Sequence, residues 1–219
     1  MEKKYKSITL GSTEVWLLSD CAMYIPFDES LIIADWHLGK TAHFRKFGIF
    51  VPKTSLDKEF EQLVTLVATY PVQRVIFLGD LFHSEWNMDW DLFLDALEQF
   101  FDIEFVLTLG NHDILDFQQY EMEHLKIVKK FEVNSDILLS HQPLKRVPEN
   151  QYNIVGHVHP GIELRTKSKQ RFRLPCFYIK DKVVTLPAFG AMTGLYILDK
   201  ADADACYAIM GTEVFMVPK

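Results

Sequence analysis

Five short polar runs in this 219-residue sequence carry side chains that can ligate a metal ion, and each comes directly after an apolar stretch. Leu31-Ile-Ile-Ala34 ends in Asp35-Trp-His37, and Val75-Ile-Phe-Leu78 ends in Gly79-Asp80. Phe105–Leu109 leads into Gly110-Asn-His-Asp113, Ile137–Ser140 into His141, and Asn153–Val155 into Gly156-His-Val-His159. The donors are imidazole, carboxylate and carboxamide, without thiolate. That set suits Mn2+, Fe, Zn2+ or Ni2+ better than it suits a cysteine-based structural zinc site. In Asp35-x-His37 and His157-x-His159 the partners stand two apart, so on an extended strand they share a face and can turn toward one point. At a strand-to-loop junction they can instead serve neighbouring metals. The glycines before Asp80, Asn111 and His157 permit tight turns and close backbone approach. Singly, Asp-x-His, Gly-Asp or a lone His141 carries little weight; the ordered set, each member after a strand, carries much more.

These residues need a rim of strand ends to hold them. The pattern predicts strands at Ser7–Leu10, Glu14–Leu18, Ala22–Ile25, Leu31–Ala34, Val75–Leu78, Phe105–Leu109, Ile137–Ser140 and Tyr152–Val155. Thr54-Ser-Leu-Asp57 reads as a capping box. It opens a helix whose apolar face is Leu56, Phe60, Leu63, Val64 and Val67. Trp90, Phe93, Leu94, Leu97 and Phe101 mark a second helix, and Ile114–Leu125 reads as a third. After residue 160 strands dominate, at Ile162–Arg165, Phe172–Ile179, Val183–Leu186, Leu195–Leu198, Cys206–Met210 and Glu213–Val217. Alternation followed by a strand-rich end predicts an α/β (α+β) chain of mixed sheets packed face to face with helices outside. Ligand sites gather at strand ends in such sheets.

Length, with 48% hydrophobic and 24% charged residues, fits one soluble globular domain over residues 1–219. No apolar run approaches the roughly 18 residues of a membrane helix. The charged N-terminus, Met1-Glu-Lys-Lys-Tyr-Lys-Ser7, has no apolar h-region. Cys21, Cys176 and Cys206 are odd in number and far apart in sequence, which suits reduced thiols and a cytoplasmic location. The net charge of −7 argues against a broad basic face that wraps nucleic acid. Two divalent cations would offset part of that charge where an anion binds, so the net charge is compatible with a phosphodiester substrate.

From Asp35 to His159 the ordered motifs resemble the calcineurin-like metallophosphoesterase superfamily. More narrowly, Ala34-Asp-Trp-His-Leu-Gly-Lys40, His43-Phe-Arg45, Gly48, Pro52, Leu174-Pro-Cys-Phe177 and Leu186-Pro-Ala-Phe-Gly190 resemble the bacterial ligase-associated DNA damage response endonucleases. The resemblance implies a metallophosphatase fold, a four-layer αββα sandwich of two mixed β-sheets flanked by helices. It implies phosphodiesterase activity and a DNA repair role beside an ATP-dependent DNA ligase and a helicase. Carried over by motif, Asp35, His37 and His159 hold one divalent ion, Asn111, His141 and His157 hold the other, and Asp80 bridges them. Mn2+ is the first choice by resemblance, with Fe, Zn2+ or Ni2+ compatible with the same ligands.

Two cations about 3.5–4 Å apart lower the pKa of a shared water toward ~7, which supplies hydroxide for in-line attack on a phosphate diester. The leaving alkoxide then needs a proton. His112 is the candidate general acid, with Asp113 expected to orient its ring and favour the protonated form; the alternative for His112 is a structural role. His83, in a Gly-Asp-Leu-Phe-His run similar to that of SbcD-type double-strand-break repair nucleases, is either a substrate contact or a polar support. Lys40, His43 and Arg45 either meet substrate phosphates or line a solvated helix face. Arg165, Lys167, Lys169, Arg171 and Arg173 recur at every second position. An extended chain would make them a ridge for a nucleic-acid backbone. The alternative is a solvated hairpin tip or a charged edge strand. His124 reads as an ordinary surface residue. Two other functions compete with a DNA nuclease. One is hydrolysis of nucleotide diesters or lipid-linked pyrophosphates; the other is a non-catalytic protein-binding scaffold. The intact ligand set with His112 disfavours the scaffold.

Overall fold

The computed structural model describes residues 5–38, 54–82, 88–113, 125–166 and 168–219. Strands β1 (Tyr5–Leu10), β2 (Thr13–Leu18), β3 (Ala22–Ile25) and β4 (Ser30–Ile33) follow one another as antiparallel neighbours. From β4 the pairing becomes parallel through β5 (Arg74–Phe77), β6 (Glu104–Thr108) and β7 (Leu125–Val128), which completes a seven-stranded sheet in sequence order. Parallel neighbours need crossovers. Helix α1 (Thr54–Thr69) lies between β4 and β5, and α2 (Met88–Leu97) between β5 and β6. Strands β4, β5 and β6 are buried on both faces over most of their length, which explains their unbroken apolar runs.

Among the described residues the second sheet has nine strands. Its path runs β14 (Tyr196–Ile197), β11 (Pro160–Arg165), β12 (Arg171–Lys180), β13 (Val183–Thr185), β10 (Tyr152–Val155), β9 (Ile137–Leu139), β8 (Phe131–Glu132). Strand β15 (Ala205–Met210) pairs with β12 and with β16 (Glu213–Met216). The long β12 changes partner midway. Arg171–Pro175 faces β11, and Cys176 begins the pairing with β15. Pro175, which has no N–H to give a ladder, stands at that change.

One apolar cluster fills the space between the sheets. Leu17, Met23, Ile32, Ile76 and Val106 from the first meet Leu139, Ile154, Phe177 and Val184 from the second. The opposite face of the first sheet packs Ile33, Phe77 and Phe105 against Leu63 and Leu66 of α1 and Trp90 and Phe93 of α2. Among the described residues both α-helices lie on that side. A smaller cluster of Ile162, Cys176, Tyr178, Ala203 and Cys206 belongs to the second sheet. The two mixed sheets with outer helices are the architecture expected from the sequence. No helix among the described residues is long and apolar enough to cross a membrane.

Several expectations change. Leu125 opens β7 instead of closing a helix, and residues 114–124 lie outside the described residues. Strands β7 and β8 have no counterpart in the sequence reading. Cys176 and Cys206, distant in sequence, stand on paired strands, because β12 and β15 align Tyr178 with Cys206. Arg165 and Arg171 do not lie on one straight strand. Thr166 and Gln170 close a turn in which Lys169 has φ +65°, and Arg165 faces Arg171 across the hairpin.

Candidate metal centre

The loops after β4 and β5 leave the first sheet side by side. Asp35 N–H donates to Gly79 O at 3.3 Å, His37 N–H to Asp80 O at 2.9 Å, and Leu38 N–H to Leu81 O at 2.8 Å. The turn geometry is unusual for these residue types. Asp35, His37, Asp80, His157 and His159 all have φ between +48° and +69°. Left-handed backbone costs a residue with a side chain about 1 kcal/mol or more. Five such residues in one place are held by the surrounding structure, a pattern common at functional sites. Gly79, at φ +69°, has a further reason to be glycine: a Cβ there would overlap the His141 ring at Nδ1.

The sheets meet at this rim. Both carboxylate oxygens of Asp35 face the His157 N–H, at 2.8 and 3.0 Å, so the end of β4 is tied to the end of β10. Phe189 N–H donates to Ala34 O at 2.8 Å, and a Cβ on Gly190 would overlap Trp36 O. The Gly190 loop is thus pressed against the Asp35 loop.

Two groups of ligand atoms result, Asp35–His37–His159 and Asp80–His141–His157, each with its atoms within 4.8 Å of one another. In the first, His37 Nε2 lies 3.3 Å from His159 Nε2, which lies 3.5 Å from Asp35 Oδ1. In the second, His141 Nε2 lies 3.1 Å from both His157 Nδ1 and Asn111 Oδ1. Asp80 Oδ2 reaches toward both groups, 3.4 Å from His141 Nε2 and 3.9 Å from His37 Nε2.

The proton count tests whether a cation fits. His141 Nδ1 stands 2.8 Å from Leu78 O. A carbonyl only accepts, so Nδ1 carries the hydrogen and, in the neutral ring, Nε2 presents a bare lone pair. That lone pair faces Asn111 Oδ1 and Asp80 Oδ2, which are acceptors as well. Converging lone pairs around buried Asp35, Asp80 and His141 are satisfied by a positive ion. Desolvation of the His157 ring, with His141 beside it, holds His157 below the ordinary imidazole range, the direction that favours the neutral ring a metal ligand presents. The donor set therefore fits two divalent cations.

Next to this centre His112 is exposed. Its N–H donates to Asp80 Oδ1 at 2.8 Å, and its ring lies 5.5 Å from that of His37. Asp113 does not support that ring. Its carboxylate accepts from three backbone groups, Leu81 N–H at 2.9 Å, Phe82 N–H at 3.2 Å and Gly110 N–H at 2.8 Å. Asp113 fastens the Asn111 loop to the Asp80 loop, which corrects the expected His112–Asp113 pair. Burial holds its carboxyl above the usual carboxylate range, against the lowering pull of those N–H groups.

Among the other sequence candidates, Lys40, His43, Arg45, His83 and Lys167 lie outside the described residues, as does His124. Arg165, Arg171 and Arg173 converge on one carboxylate, Glu163, at 3.2, 3.6 and 3.8 Å, beside the turn that holds Lys169. The three arginines therefore stand on the two strands of an exposed hairpin and not along one straight strand.

Sequence reasoning missed Glu59 and passed over Trp36. Glu59, buried on α1, accepts from Trp36 Nε1–H and from Ala191 N–H, both at 2.8 Å. A carboxylate among apolar helix positions, one residue before Phe60 and four before Leu63, is the signal that points to it.

The calcineurin-like phosphoesterase family matches this sequence over residues 30–157, more than half of the chain. A crystal structure of a nuclease from Pseudomonas putida, MPE, is similar over 97% of this chain and 100% of its own, with 28% identity and a TM-score of 0.82. A protein of unknown function from Aquifex aeolicus, AQ665, is 23% identical over 59% of this chain and 78% of its own, with a TM-score of 0.42. No curated protein gives a significant match.

Proposed function

The chain belongs to the calcineurin-like phosphoesterases and is a metal-dependent phosphoesterase, and on that basis we propose that it is a dinuclear nuclease that hydrolyses DNA phosphodiesters. One observation carries the reading: Asp80 Oδ2 lies 3.4 and 3.9 Å from histidine nitrogens of the two separate ligand groups. A carboxylate that belongs to one triad and also reaches a histidine of the other is the arrangement that would let two neighbouring ions share a ligand. The similarity to a nuclease over nearly the full chain supports a nucleic-acid substrate.

In this reading Asp35, His37 and His159 would hold one ion and Asn111, His141 and His157 the other, with Asp80 placed to serve both. Mn2+ suits the nitrogen and oxygen donors. When bound, the ions supply Lewis acidity at the phosphate and a water acidic enough to act near neutral pH. The chain's own residues do the rest. Gly79 lets His141 approach, and the Leu78 carbonyl fixes its tautomer. Asp35 holds the His157 backbone in place. His112, placed by its N–H bond to Asp80, donates a proton to the departing alkoxide oxygen. Residues 1–219 act as one domain in the cytoplasm. The Ala34–Lys40, His43–Arg45 and Leu186–Gly190 motifs support a repair setting beside an ATP-dependent ligase and a helicase.

One observation favours a second reading, hydrolysis of a lipid-linked pyrophosphate. Met192, Leu195, Tyr196 and Ile197 are exposed, and Tyr196 N–H donates to the carbonyl of His159. The test sets Mn2+-loaded protein against bis(p-nitrophenyl) phosphate, single-stranded, duplex and nicked DNA, a nucleotide panel and a lipid-linked pyrophosphate. Metal-dependent cleavage of the small diester and of DNA is expected. The variant His112→Ala should retain both metals, measured by elemental analysis, and lose ~10²–10⁴-fold in turnover. A metal-free, inactive preparation of folded protein would overturn the reading.

A further inference from the structure

A cavity of about 710 Å³ opens beside the metal centre, on the side of Asn111 and His141. Both of those residues line it, and Lys129, Lys130, Lys145 and Arg146 line it with them. Among the described residues no carboxylate lines it. In a chain with 30 acidic and 23 basic residues, four cations around one cavity without an acid are a marked local reversal of charge. Among the described residues none of the four pairs with a carboxylate. The hairpin arginines, in contrast, share Glu163, and Arg74 is held by Asp28 and Glu104.

The cations stand on anchored backbone. Leu109 N–H donates to Val128 O at 3.0 Å, which fixes the end of β7 just before Lys129 to the loop that bears Asn111. On the other wall, fully buried Asn153 accepts from Leu144 N–H at 2.9 Å. It also donates to Leu138 O and Ser140 Oγ, at 3.1 and 2.9 Å. Asn153 thereby holds the His141–Leu144 segment immediately before Lys145 and Arg146. Among the described residues no aromatic ring other than His141 lines the cavity, so it offers no stacking platform for a run of bases.

Resting on the nuclease reading above, we infer that this cavity binds the phosphate backbone of a polynucleotide strand next to the phosphodiester held at the Asn111–His141 ligands. Unpaired lysine and arginine take up phosphates and release their counterions, so the contribution is sequence-independent and salt-dependent.

The test measures binding of a fluorescein-labelled single-stranded oligonucleotide by anisotropy, in EDTA, across a salt series. The quadruple variant K129Q/K130Q/K145Q/R146Q should bind at least ~10-fold more weakly at low salt. Each neutralised phosphate contributes about 0.7 to the slope of log affinity against log salt on a single strand, so the slope should flatten by roughly 2–3. The triple variant R165Q/R171Q/R173Q should change the slope by less. Should the quadruple variant not fold, the pairs K129Q/K130Q and K145Q/R146Q are each expected to flatten the slope by about 1.4. An unchanged slope would overturn the cavity assignment. So would an equal loss of affinity for inorganic phosphate, which would indicate a single-anion site. Wild-type turnover of bis(p-nitrophenyl) phosphate with Mn2+ separates the two claims. Turnover with an unchanged slope removes the cavity and leaves the phosphoesterase centre standing. No turnover on any diester removes the nuclease reading, and the strand inference that rests on it.

Discussion

At the scale of single residues, adjacent side chains in one motif have different work. In Gly110-Asn-His-Asp113, Asn111 turns its carboxamide oxygen toward His141, His112 is exposed beside His37, and Asp113 points back into the backbone. Asp113→Asn replaces one accepting oxygen with a donor that faces N–H groups. It should therefore destabilise the fold by about 1–3 kcal/mol in urea unfolding. Asp113 spends its carboxylate on the backbone and not on the His112 ring, so the pH profile of turnover should keep its shape in that variant. A displaced profile would restore the acid–orienter pair. The ligand types are legible in the sequence because few other uses bring Asp-x-His, Asn-His-Asp and His-x-His each to the end of an apolar strand. Asp113's partners are not legible there. Three backbone N–H groups from two loops leave no trace in residue identity.

At the scale of elements, strands are readable and their supports less so. Buried β4, β5 and β6 announce themselves through unbroken apolar runs. Short β7 and two-residue β8 do not, because Lys126, Lys129 and Lys130 interrupt the apolar pattern around them. Helix α1 does more than cover the first sheet. Through Glu59 it clamps the Trp36 and Ala191 segments, and desolvation holds that carboxyl above the ordinary glutamate range. Glu59→Ala would leave both N–H donors without their acceptor, at a cost of about 1–3 kcal/mol for the buried Trp36 indole. It should also loosen the Asp35–His37 loop against Gly190. Calorimetry should show a lower unfolding temperature, and titration a weaker uptake of Mn2+. A variant that loses stability while keeping wild-type metal affinity would confine Glu59 to packing.

At the scale of the whole molecule, the sandwich is closed at both ends by polar contacts between its sheets. One closure is Asp35 against the His157 backbone, at the metal centre. The other lies at the opposite end of β9. There Asp136 accepts from the N–H and hydroxyl of Ser12 and from the Thr13 hydroxyl, while Asn134 Nδ2 donates to Thr13 Oγ1 at 2.8 Å. Gly11, at φ +63°, leaves room for the latch, since a Cβ there would lie 2.9 Å from the Asp136 carboxyl. The Ser12 hydroxyl, before the other causes, holds the Asp136 carboxyl below the ordinary aspartate range. A depressed folded pKa fixes the sign of the linkage. The ionised latch contributes stability above the unfolded aspartate pKa of about 3.9, and that contribution is lost as pH falls through the lower folded value. Urea unfolding from about pH 7 to about pH 3 should therefore show Asp136→Asn less stable than wild type at neutral pH, with the gap closing in acid. Turnover of a small diester at neutral pH should stay near wild type, because the latch is separated from His141 by the length of β9. A gap that is constant with pH, or that widens in acid, would mean that Asp136 holds the sheets by shape and not by charge.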